Sequence, residues 1–349
     1  MKKKRIVLIG GWNGCSNIAR WINPDDFDVS VILAMADSGG STGALREQYA
    51  VPPLGDIRKA ISRTSTEPGL AELLEHRFEW GDLDGHTLGN LVLLAAYQTN
   101  TKCQIPNTKW NENNLELGTC LPAGKVRNLE LSYKDKNSKP GNCPLVTGNC
   151  LETTIKEVQK LGWSNIRILP CSYEPYHLVM ETSDGERVVG EWVIDTMEYE
   201  EIVKGFFLDP LPSANPKAIQ AIDEADLVCV GPWSLHTSLF PALMTDGISD
   251  AIKASSAKKV FVAHLTNQKG QTEKYRIQDY VEEVSSMMWE DIFDTVILDR
   301  SRWNEAFDDR CIVAHVTGGT NVKWGGEKGR NCGKMHDPEK LWKVLKTVL

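Results

Sequence analysis

Short apolar runs recur along the chain, and turns or segments with helical periodicity follow them. Runs that are apolar at nearly every position are typical of strands buried on both faces of a parallel sheet. The runs predicted as strands cover residues 5–9, 29–35, 166–169, 226–230, 259–264, 295–298 and 311–315. Strands that alternate with helices predict an α/β fold of three layers, Rossmann-like, with a mostly parallel sheet and helices on both faces.

One segment departs from this alternation of strands and helices. Alternating apolar and polar residues flank Ser183-Asp184-Gly185, and an Asp-Gly pair between such arms is a strong hairpin signal. The arms are predicted at 176–180 and 187–194. We therefore expect a β-hairpin excursion in addition to the main sheet.

A glycine-rich stretch follows the second apolar run and precedes a predicted helix. It contains Asp37, Gly39, Gly40 and Ser41. Glycines let backbone N–H groups converge on an anion, and a following helix adds its positive end, so the stretch predicts a phosphate site. Asp37 and, further on, Asp56 frame it, and carboxylates beside phosphate commonly hold Mg²⁺ or orient a sugar hydroxyl. The alternative is a plain turn with solvated acids.

The first predicted strand also ends in glycines. Gly10, Gly11, Trp12, Asn13 and Gly14 lead from it into a predicted helix, which is a nucleotide-binding type of opening. The spacing is not that of the dinucleotide fingerprint. It also lacks the Gly-Lys-Ser/Thr ending of the phosphate loop in nucleoside triphosphatases.

Charge and composition exclude some classes of partner. Acidic residues outnumber basic ones by 47 to 39, which gives a net charge of −8, so we expect no nucleic-acid partner and no membrane association. The basic N-terminus is followed by an apolar run that stops at Gly10, too short for a signal peptide or membrane span, which predicts a cytoplasmic protein. The nine cysteines include no CxxC pair, which favours reduced thiols.

Residues 100–149 differ from the rest of the chain. They are rich in Asn, Lys, Gly and Pro and lack periodicity. The segment contains Cys103, Cys120 and Cys143, with Cys150 just beyond, but this spacing matches no zinc finger. We predict one domain over residues 1–349, with 100–149 as a surface loop inserted into it.

Several motifs carry a family resemblance. Residues 37–46 and 52–58 resemble the A-D-D-G-G-S-S-G-R-L-R and P-P-G-D-I-R signatures of the CofD/YvcK-like proteins. This family comprises phosphate-ester transferases of deazaflavin cofactor synthesis and nucleotide-sugar-binding regulators of cell-wall metabolism. Further matches, in the family's order, lie at 10–16, 74–78, 85–91, 226–238, 264–275 and 336–341. The agreement is weaker over 264–275, where residues 264, 266, 267, 269 and 271 depart from the family pattern. The resemblance covers nearly the whole chain outside 100–149.

The resemblance implies a set of ligand contacts, some of which depart from the family pattern. Trp12 and Trp233 stand where the family has glycines, and Asn13 where it has a threonine. These two tryptophans predict a ligand site of changed shape, in which they either fill part of the pyrophosphate channel or stack on a base or sugar. The remaining implied contacts are Arg58, His86, Asn90, Gly231, Ser234, Thr237 and Tyr275. For His86, a helix cap buried against the sheet is the competing interpretation.

Two classes of function follow from the resemblance. The D-x-G-G-S-x-G and H-R-F signatures favour the YvcK-like branch, which implies a binding protein for a nucleotide, such as a UDP-sugar, that regulates cell-envelope or central carbon metabolism. The alternative is an Mg²⁺-dependent transferase that moves a phospho-organic group from a nucleoside diphosphate ester, like 2-phospho-L-lactate transferase. In either class Asp37 and Asp56 are predicted to hold Mg²⁺. The sequence shows no obvious nucleophile with its base, and it leaves a homodimer open.

Overall fold

The computed structural model describes residues 3–101, 148–162, 164, 166–324 and 331–349. The strands are β1 (Lys4–Ile9), β2 (Phe27–Leu33), β3 (Arg167–Pro170), β4 (His177–Thr182), β5 (Arg187–Val189), β6 (Val203–Asp209), β7 (Leu227–Val230), β8 (Lys258–Val262), β9 (Thr295–Asp299), β10 (Cys311–Ala314), β11 (Thr317–Trp324) and β12 (Asn331–His336). The α-helices are α1 (Trp12–Ala19), α2 (Gly40–Tyr49), α3 (Leu54–Thr64), α4 (Pro68–Glu75), α5 (Leu88–Thr101), α6 (Gly148–Leu161), α7 (Glu191–Asp195), α8 (Pro216–Asp223), α9 (Phe240–Leu243), α10 (Ile248–Ala254), α11 (Ile277–Met288) and α12 (Pro338–Val348). A π-helix (Leu235–Leu239) precedes α9, and a 3₁₀ helix (Arg300–Glu305) follows β9.

The central sheet has seven strands in the order β10-β9-β8-β7-β1-β2-β3, and every neighbouring pair is parallel. Its middle strands are buried on both faces, as in β7, where every residue is buried. From β1 the chain moves outward to β2 and β3, and from β7 it moves outward in the other direction. Because crossovers between parallel strands are right-handed, these two series place their helices on opposite faces. The predicted three-layer α/β fold is confirmed.

The strand order creates a switch point between β1 and β7. These strands are hydrogen-bonded neighbours, with Ile9 paired to Val230 at their carboxyl ends. The chain leaving each strand turns to a different face of the sheet, so a crevice opens between the two loops. The glycine loops predicted from the sequence follow these two strands and β2.

The predicted hairpin excursion is confirmed, with one boundary corrected. Strand β4 pairs antiparallel with both β5 and β6, which makes a separate three-stranded sheet. The second arm was predicted to reach residue 194, but β5 ends at Val189. Gly190 follows with φ +108°, in the left-handed region that glycine favours, and the chain then forms helix α7.

Two predictions about segments fall largely outside the described residues. The inserted loop at 100–149 lies mostly in the undescribed range 102–147, so it stays a prediction. The flanking helices α5 and α6 pack against each other, and Asn100 Nδ2 donates to Glu157 Oε2 at 2.8 Å. Among the described residues, no helix combines the length and apolar character that a bilayer crossing requires. The cytoplasmic location also stays a prediction.

Asp299, the last residue of β9, fixes the loops at the carboxyl end of the sheet. Its carboxylate accepts the N–H of Ser301 at 2.8 Å and the N–H of Val316 at 2.9 Å. Burial raises the pKa of Asp299, but hydrogen bonds from Thr317, Ser301 and Val316 lower it more, so the net pKa lies below its usual value. An ionised acceptor therefore stabilises this edge.

We expect Asp299→Asn to lower the free energy of unfolding at pH 7 by about 2 kcal/mol, because an amide accepts these bonds more weakly than a carboxylate. A depressed pKa stabilises the fold above the unfolded-state value, so the difference from wild type should shrink below about pH 4. Urea unfolding across this pH range measures the effect. Exposed Asp309 provides the matched control, Asp309→Asn. Equal unfolding midpoints for the two variants would contradict the prediction.

Candidate functional site

A cleft of about 1070 Å³ opens at the carboxyl edge of the central sheet, at the switch point. Loops that follow β2, β7 and β8 line it, together with residues of α1, α3, α5 and α7. This is where open α/β sheets bind their ligands. The predicted site residues that line the cleft are Gly14, Asp37, Gly39, Gly40, Ser41, Asp56, Arg58, His86, Asn90, Trp233 and Ser234.

The loops that follow β1 and β7 touch each other behind the cleft wall. A Cβ at Gly11 would lie 2.0 Å from Trp233 Cδ1, and a Cβ at Gly14 would lie 2.2 Å from the carbonyl oxygen of Pro232. A side chain at Gly11 would displace the Trp233 indole, and one at Gly14 would collide with the backbone of Pro232. The need for glycine at 11 and 14 arises from contact between the two loops. Gly10 and Gly231, which directly follow the two strands, do not line the cleft.

The glycine stretch after β2 does face the cleft. Gly39 N–H donates to Asp37 Oδ1 at 3.0 Å, which turns the chain into α2. No side chain caps the N-terminus of α2, and a Cβ at Gly40 would meet nothing within 4 Å. Uncapped N–H groups and open space at a helix N-terminus suit an anion such as phosphate.

Four carboxylates gather beside this helix start. Burial raises the pKa of Asp56 to about 6, with Lys59 opposing the shift and Asp37 adding to it. The pKa of Glu191 is raised by burial and then by Asp37, Asp195 and Asp56. Burial also raises the pKa of Asp195. Like charges in a half-buried site are relieved by protonation or by a divalent cation.

Asp37 and Asp56 fit the role of magnesium ligands in part. Their chain segments meet closely, since a Cβ at Gly55 would lie 2.5 Å from Asp37 Oδ2. Among the described residues, no three or more His, Cys, Asp or Glu side chains are grouped so that they could hold a metal ion by themselves. Mg²⁺ commonly takes one or two carboxylates and completes its shell with water and substrate phosphate. The pair therefore suits an ion that arrives with a phosphorylated ligand.

Ser41, His86 and Asn90 form a hydrogen-bonded group in the cleft wall. Asn90 Nδ2 donates to Ser41 Oγ at 3.0 Å, and Ser41 Oγ lies 3.1 Å from His86 Nδ1. The side-chain oxygen of Asn90, Oδ1, is buried without a hydrogen-bond partner. Residues from α2 and from the start of α5 are thus brought together, although they are far apart in the sequence.

Arg58 lies nearby, but it has a structural partner. Its buried guanidinium pairs with Glu75 at 2.5 Å and lies 3.5 Å from the carbonyl of Leu74. A Cβ at Gly89 would come within 2.7 Å of its side chain. Arg58 therefore ties α3 to the end of α4 in the wall of the cleft.

The loop after β7 orders the acidic side of the cleft. Thr237 Oγ1 donates to Asp195 Oδ1 at 3.0 Å, and the Ser234 and Thr237 hydroxyls lie 2.7 Å apart. Because Thr237 uses its proton on Asp195, Ser234 is the donor between the two hydroxyls. Thr237 does not line the cleft, so it acts here by orienting Asp195.

The family model described as 2-phospho-L-lactate transferase CofD matches residues 6–107 and 138–315. The chain belongs to the CofD family. A gluconeogenesis factor of Bacillus subtilis is 31% identical over 300 residues, which cover 85% of this chain and 79% of the relative. A putative gluconeogenesis factor of Thermotoga maritima is 30% identical over 308 residues, covering 88% of this chain and 82% of that protein.

A solved structure agrees with this placement in the CofD family. The crystal structure of a UPF0052 family member from Bacillus halodurans superposes with a TM-score of 0.74 at 25% identity, covering 99% of both chains. Together with the relatives named gluconeogenesis factor, it shows a CofD/YvcK-like protein with the Rossmann-like fold described above.

Tyr275, a ligand contact implied by the CofD-family motifs, lies behind the cleft wall. Its ring is 5.2 Å from Tyr280 and 6.4 Å from His236. Burial and then Glu283 raise the pKa of Tyr275. His236 stands where the family has a tyrosine, and its ring nitrogens lie 3.0 Å from Tyr199 Oη and 2.9 Å from Glu283 Oε1. A hydrogen-bonded aromatic cluster therefore holds Tyr275.

The cleft also contains residues that sequence analysis did not select. Glu191 and Asp195 come from α7, directly after the hairpin, and Trp192 of the same helix is 51% exposed beside Gly39. The only sequence signal was the V-x-G-E element that ends at Glu191. That element resembles a family motif, but no spacing pattern linked it to Asp37.

Two histidines in the cleft wall were also missed. Burial lowers the pKa of His264 to about 3 and that of His336 to about 4, so both are neutral at pH 7. His264 Nε2 donates to the carbonyl of Trp233, and its ring stacks on Tyr280 at 4.6 Å. The side chains of Trp12 and Asn13 lie outside the described part of the chain, so their predicted roles stay predictions.

The close approach at Gly55 gives a test of this geometry. A Cβ there would lie 2.2 Å from Thr42 Oγ1 and 2.5 Å from Asp37 Oδ2. We expect Gly55→Ala to lower the free energy of unfolding by about 1–3 kcal/mol, as overpacking does. The control is Gly69→Ala in α4, where a Cβ meets nothing within 4 Å and should stabilise by about 0.5–1 kcal/mol. Urea denaturation measures both changes. If the two substitutions change the free energy of unfolding in the same direction, the contact between residue 55 and Asp37 is not tight.

Proposed function

We propose that the cleft binds a uridine nucleotide sugar together with Mg²⁺, and that occupancy regulates a partner in cell-envelope or central carbon metabolism. The observation that carries this proposal is the meeting of the uncapped N-terminus of α2 with the Asp37 and Asp56 carboxylates. The first supplies N–H donors for phosphate oxygens, and the second supplies ligands for the cation that accompanies phosphate. The relatives named gluconeogenesis factor support the metabolic role.

Different residues of the cleft bind different parts of the proposed ligand. The pyrophosphate lies against Gly39, Gly40 and Ser41, with open space at Gly40 and the Trp192 side chain bordering Gly39. Asp37 and Asp56 would hold Mg²⁺, which supplies positive charge to neutralise the pyrophosphate. The unpartnered side-chain oxygen of Asn90, Oδ1, accepts a hydrogen bond from a ligand hydroxyl or N–H group. A homodimer stays a prediction beside this proposal.

The transferase alternative has one observation in its favour. Glu191 is a carboxyl group whose pKa is raised by burial and by the neighbouring acids. Such a group suits a proton acceptor for the hydroxyl of a second substrate. The two functions are separated by incubating the protein with UDP-glucose, Mg²⁺ and candidate alcohols and measuring the release of UMP or UDP. Binding of UDP-glucose without such release supports the regulatory role. Turnover that Glu191→Gln abolishes would establish the transferase.

We expect UDP-glucose at a hundred times its dissociation constant to raise the free energy of unfolding by about 2.7 kcal/mol. The stabilisation should depend on Mg²⁺, and Asp56→Asn should remove that dependence. Because the pKa of Asp56 is about 6, protons compete with the cation, so Mg²⁺ affinity should rise from pH 5 to 7 and level off above. Thermal unfolding and calorimetric titration measure both effects.

Asp84→Asn provides the matched control for Asp56→Asn. Asp84 lines the same cleft and is exposed. This variant should keep the Mg²⁺ dependence and the pH profile of wild type. If no nucleotide shifts the melting temperature at millimolar concentration, the proposed function is wrong.

Trp233 is expected to influence nucleotide affinity. It lines the cleft and covers Gly11, so Trp233→Gly should reopen the wall and change the binding free energy by about 1 kcal/mol or more. The control Trp289→Gly removes an indole that is 92% exposed and does not line the cleft. Titration with the nucleotide should show a changed affinity in Trp233→Gly and an unchanged affinity in Trp289→Gly. Quenching of tryptophan fluorescence by the ligand should be smaller in Trp233→Gly than in wild type. Unchanged affinity and quenching would place the ligand away from this ring.

A further inference from the structure

A half-exposed tryptophan of helix α7 stands directly beside the start of α2. The Trp192 side chain lines the cleft and is 51% exposed. A Cβ at Gly39 would lie 2.7 Å from Trp192 Cδ1, so the indole ring packs on Gly39. Ser38 Oγ accepts the backbone N–H of Trp192 at 3.1 Å, which holds α7 against this segment. An indole therefore borders the position of the proposed pyrophosphate.

The same short helix brings hydrogen-bond acceptors to the cleft. Glu191 and Asp195, which begin and end α7, also line the cleft. Asp195 Oδ1 already accepts the Thr237 hydroxyl at 3.0 Å, but a carboxyl group has lone pairs for several donors. The α7 side of the cleft therefore favours a ligand group that carries hydroxyl donors over one that presents carbonyl oxygens.

An unused acceptor also lies next to the start of α2. Asn90 is 2% exposed, lines the cleft, and has no hydrogen-bond partner for its Oδ1. Its Nδ2 donates to Ser41 Oγ at 3.0 Å, which places this side chain beside the first turn of α2. A buried acceptor without a donor is costly, so its lone pair favours a ligand that supplies one.

We propose that the Trp192 indole packs against the hexose ring of a nucleotide sugar, whose hydroxyl groups donate to the acceptors on α7 and to Asn90. A hexose combines apolar C–H groups, which suit an aromatic face, with several hydroxyl donors. The nucleoside has fewer hydroxyl groups, and its uracil carbonyl oxygens would face the carboxyl groups of α7. The proposal rests on the proposed function, because it takes the start of α2 as the pyrophosphate subsite.

The test compares inorganic pyrophosphate, UDP and UDP-glucose in calorimetric titrations with Mg²⁺ at constant ionic strength. UDP-glucose differs from UDP by the hexose, so the ratio of their affinities reports the hexose contact. Trp192→Ala removes the ring, and Trp192→Phe keeps a smaller one. The matched control is Val193→Ala, because Val193 belongs to the same helix, is 40% exposed and does not line the cleft.

Trp192→Ala should weaken UDP-glucose by about tenfold, because loss of about 50 Å² of buried apolar surface corresponds to about that factor. The same variant should change the affinities for UDP and pyrophosphate far less. Trp192→Phe should lose less UDP-glucose affinity than Trp192→Ala, since a ring remains. Val193→Ala should keep the wild-type ratio of UDP-glucose to UDP affinity.

Two results would overturn the proposal while the proposed function stands. One is that Trp192→Ala binds UDP-glucose as tightly as wild type does. The other is that it weakens UDP and UDP-glucose equally. Equal loss that spares pyrophosphate would place the indole against the nucleoside, and equal loss that includes pyrophosphate would make Trp192 a support for the Gly39 segment. If neither UDP nor UDP-glucose binds wild type, the proposed function fails and the hexose subsite fails with it.

Discussion

The loops that follow β1 and β7 touch closely: the Trp233 indole fills the space beside Gly11, and the Pro232 carbonyl fills the space beside Gly14. This contact fixes Trp233 in the cleft wall, and Trp233 in turn accepts a hydrogen bond from His264. The same β7 loop continues into the π-helix, where Thr237 holds Asp195. The arrangement of the acidic side of the cleft therefore depends on the close contact of these two loops at the switch point.

The second determinant of the cleft is electrostatic. Asp56 and Glu191 are kept close to other carboxylates in a setting that penalises their charge. Lys59 offsets part of this repulsion, and the N-termini of α2 and α3 contribute partial positive charge. Without a cation, the cluster lowers its charge by retaining protons. Occupancy by the proposed cation and its phosphate partner would displace those protons, so the proposed ligand binding would be coupled to proton release.

The sequence was informative where function depends on local pattern, and less so where it depends on contact between distant segments. Apolar runs predicted the parallel strands, and the glycine stretch near Asp37 predicted an open helix N-terminus. Glu191 could not be assigned in this way, because a hairpin that is remote in sequence brings it to Asp37. Tyr275 was selected by resemblance, but the aromatic cluster around His236, itself a departure from the family, holds it behind the wall.

The pairing of Trp233 with Gly11 has a consequence for how any ligand is held. The indole occupies the space where a side chain at residue 11 would lie, so Gly11 is buried beneath it and does not line the cleft. For the proposed phosphate ligand, recognition would then depend less on backbone N–H groups of the β1 loop and more on α2, on a cation and on charged side chains. Interactions between charges in a partly open cleft are weakened by salt and altered by protonation. A CofD-family cleft closed in this way should therefore bind its ligand with stronger dependence on pH and ionic strength than one with glycine at this position.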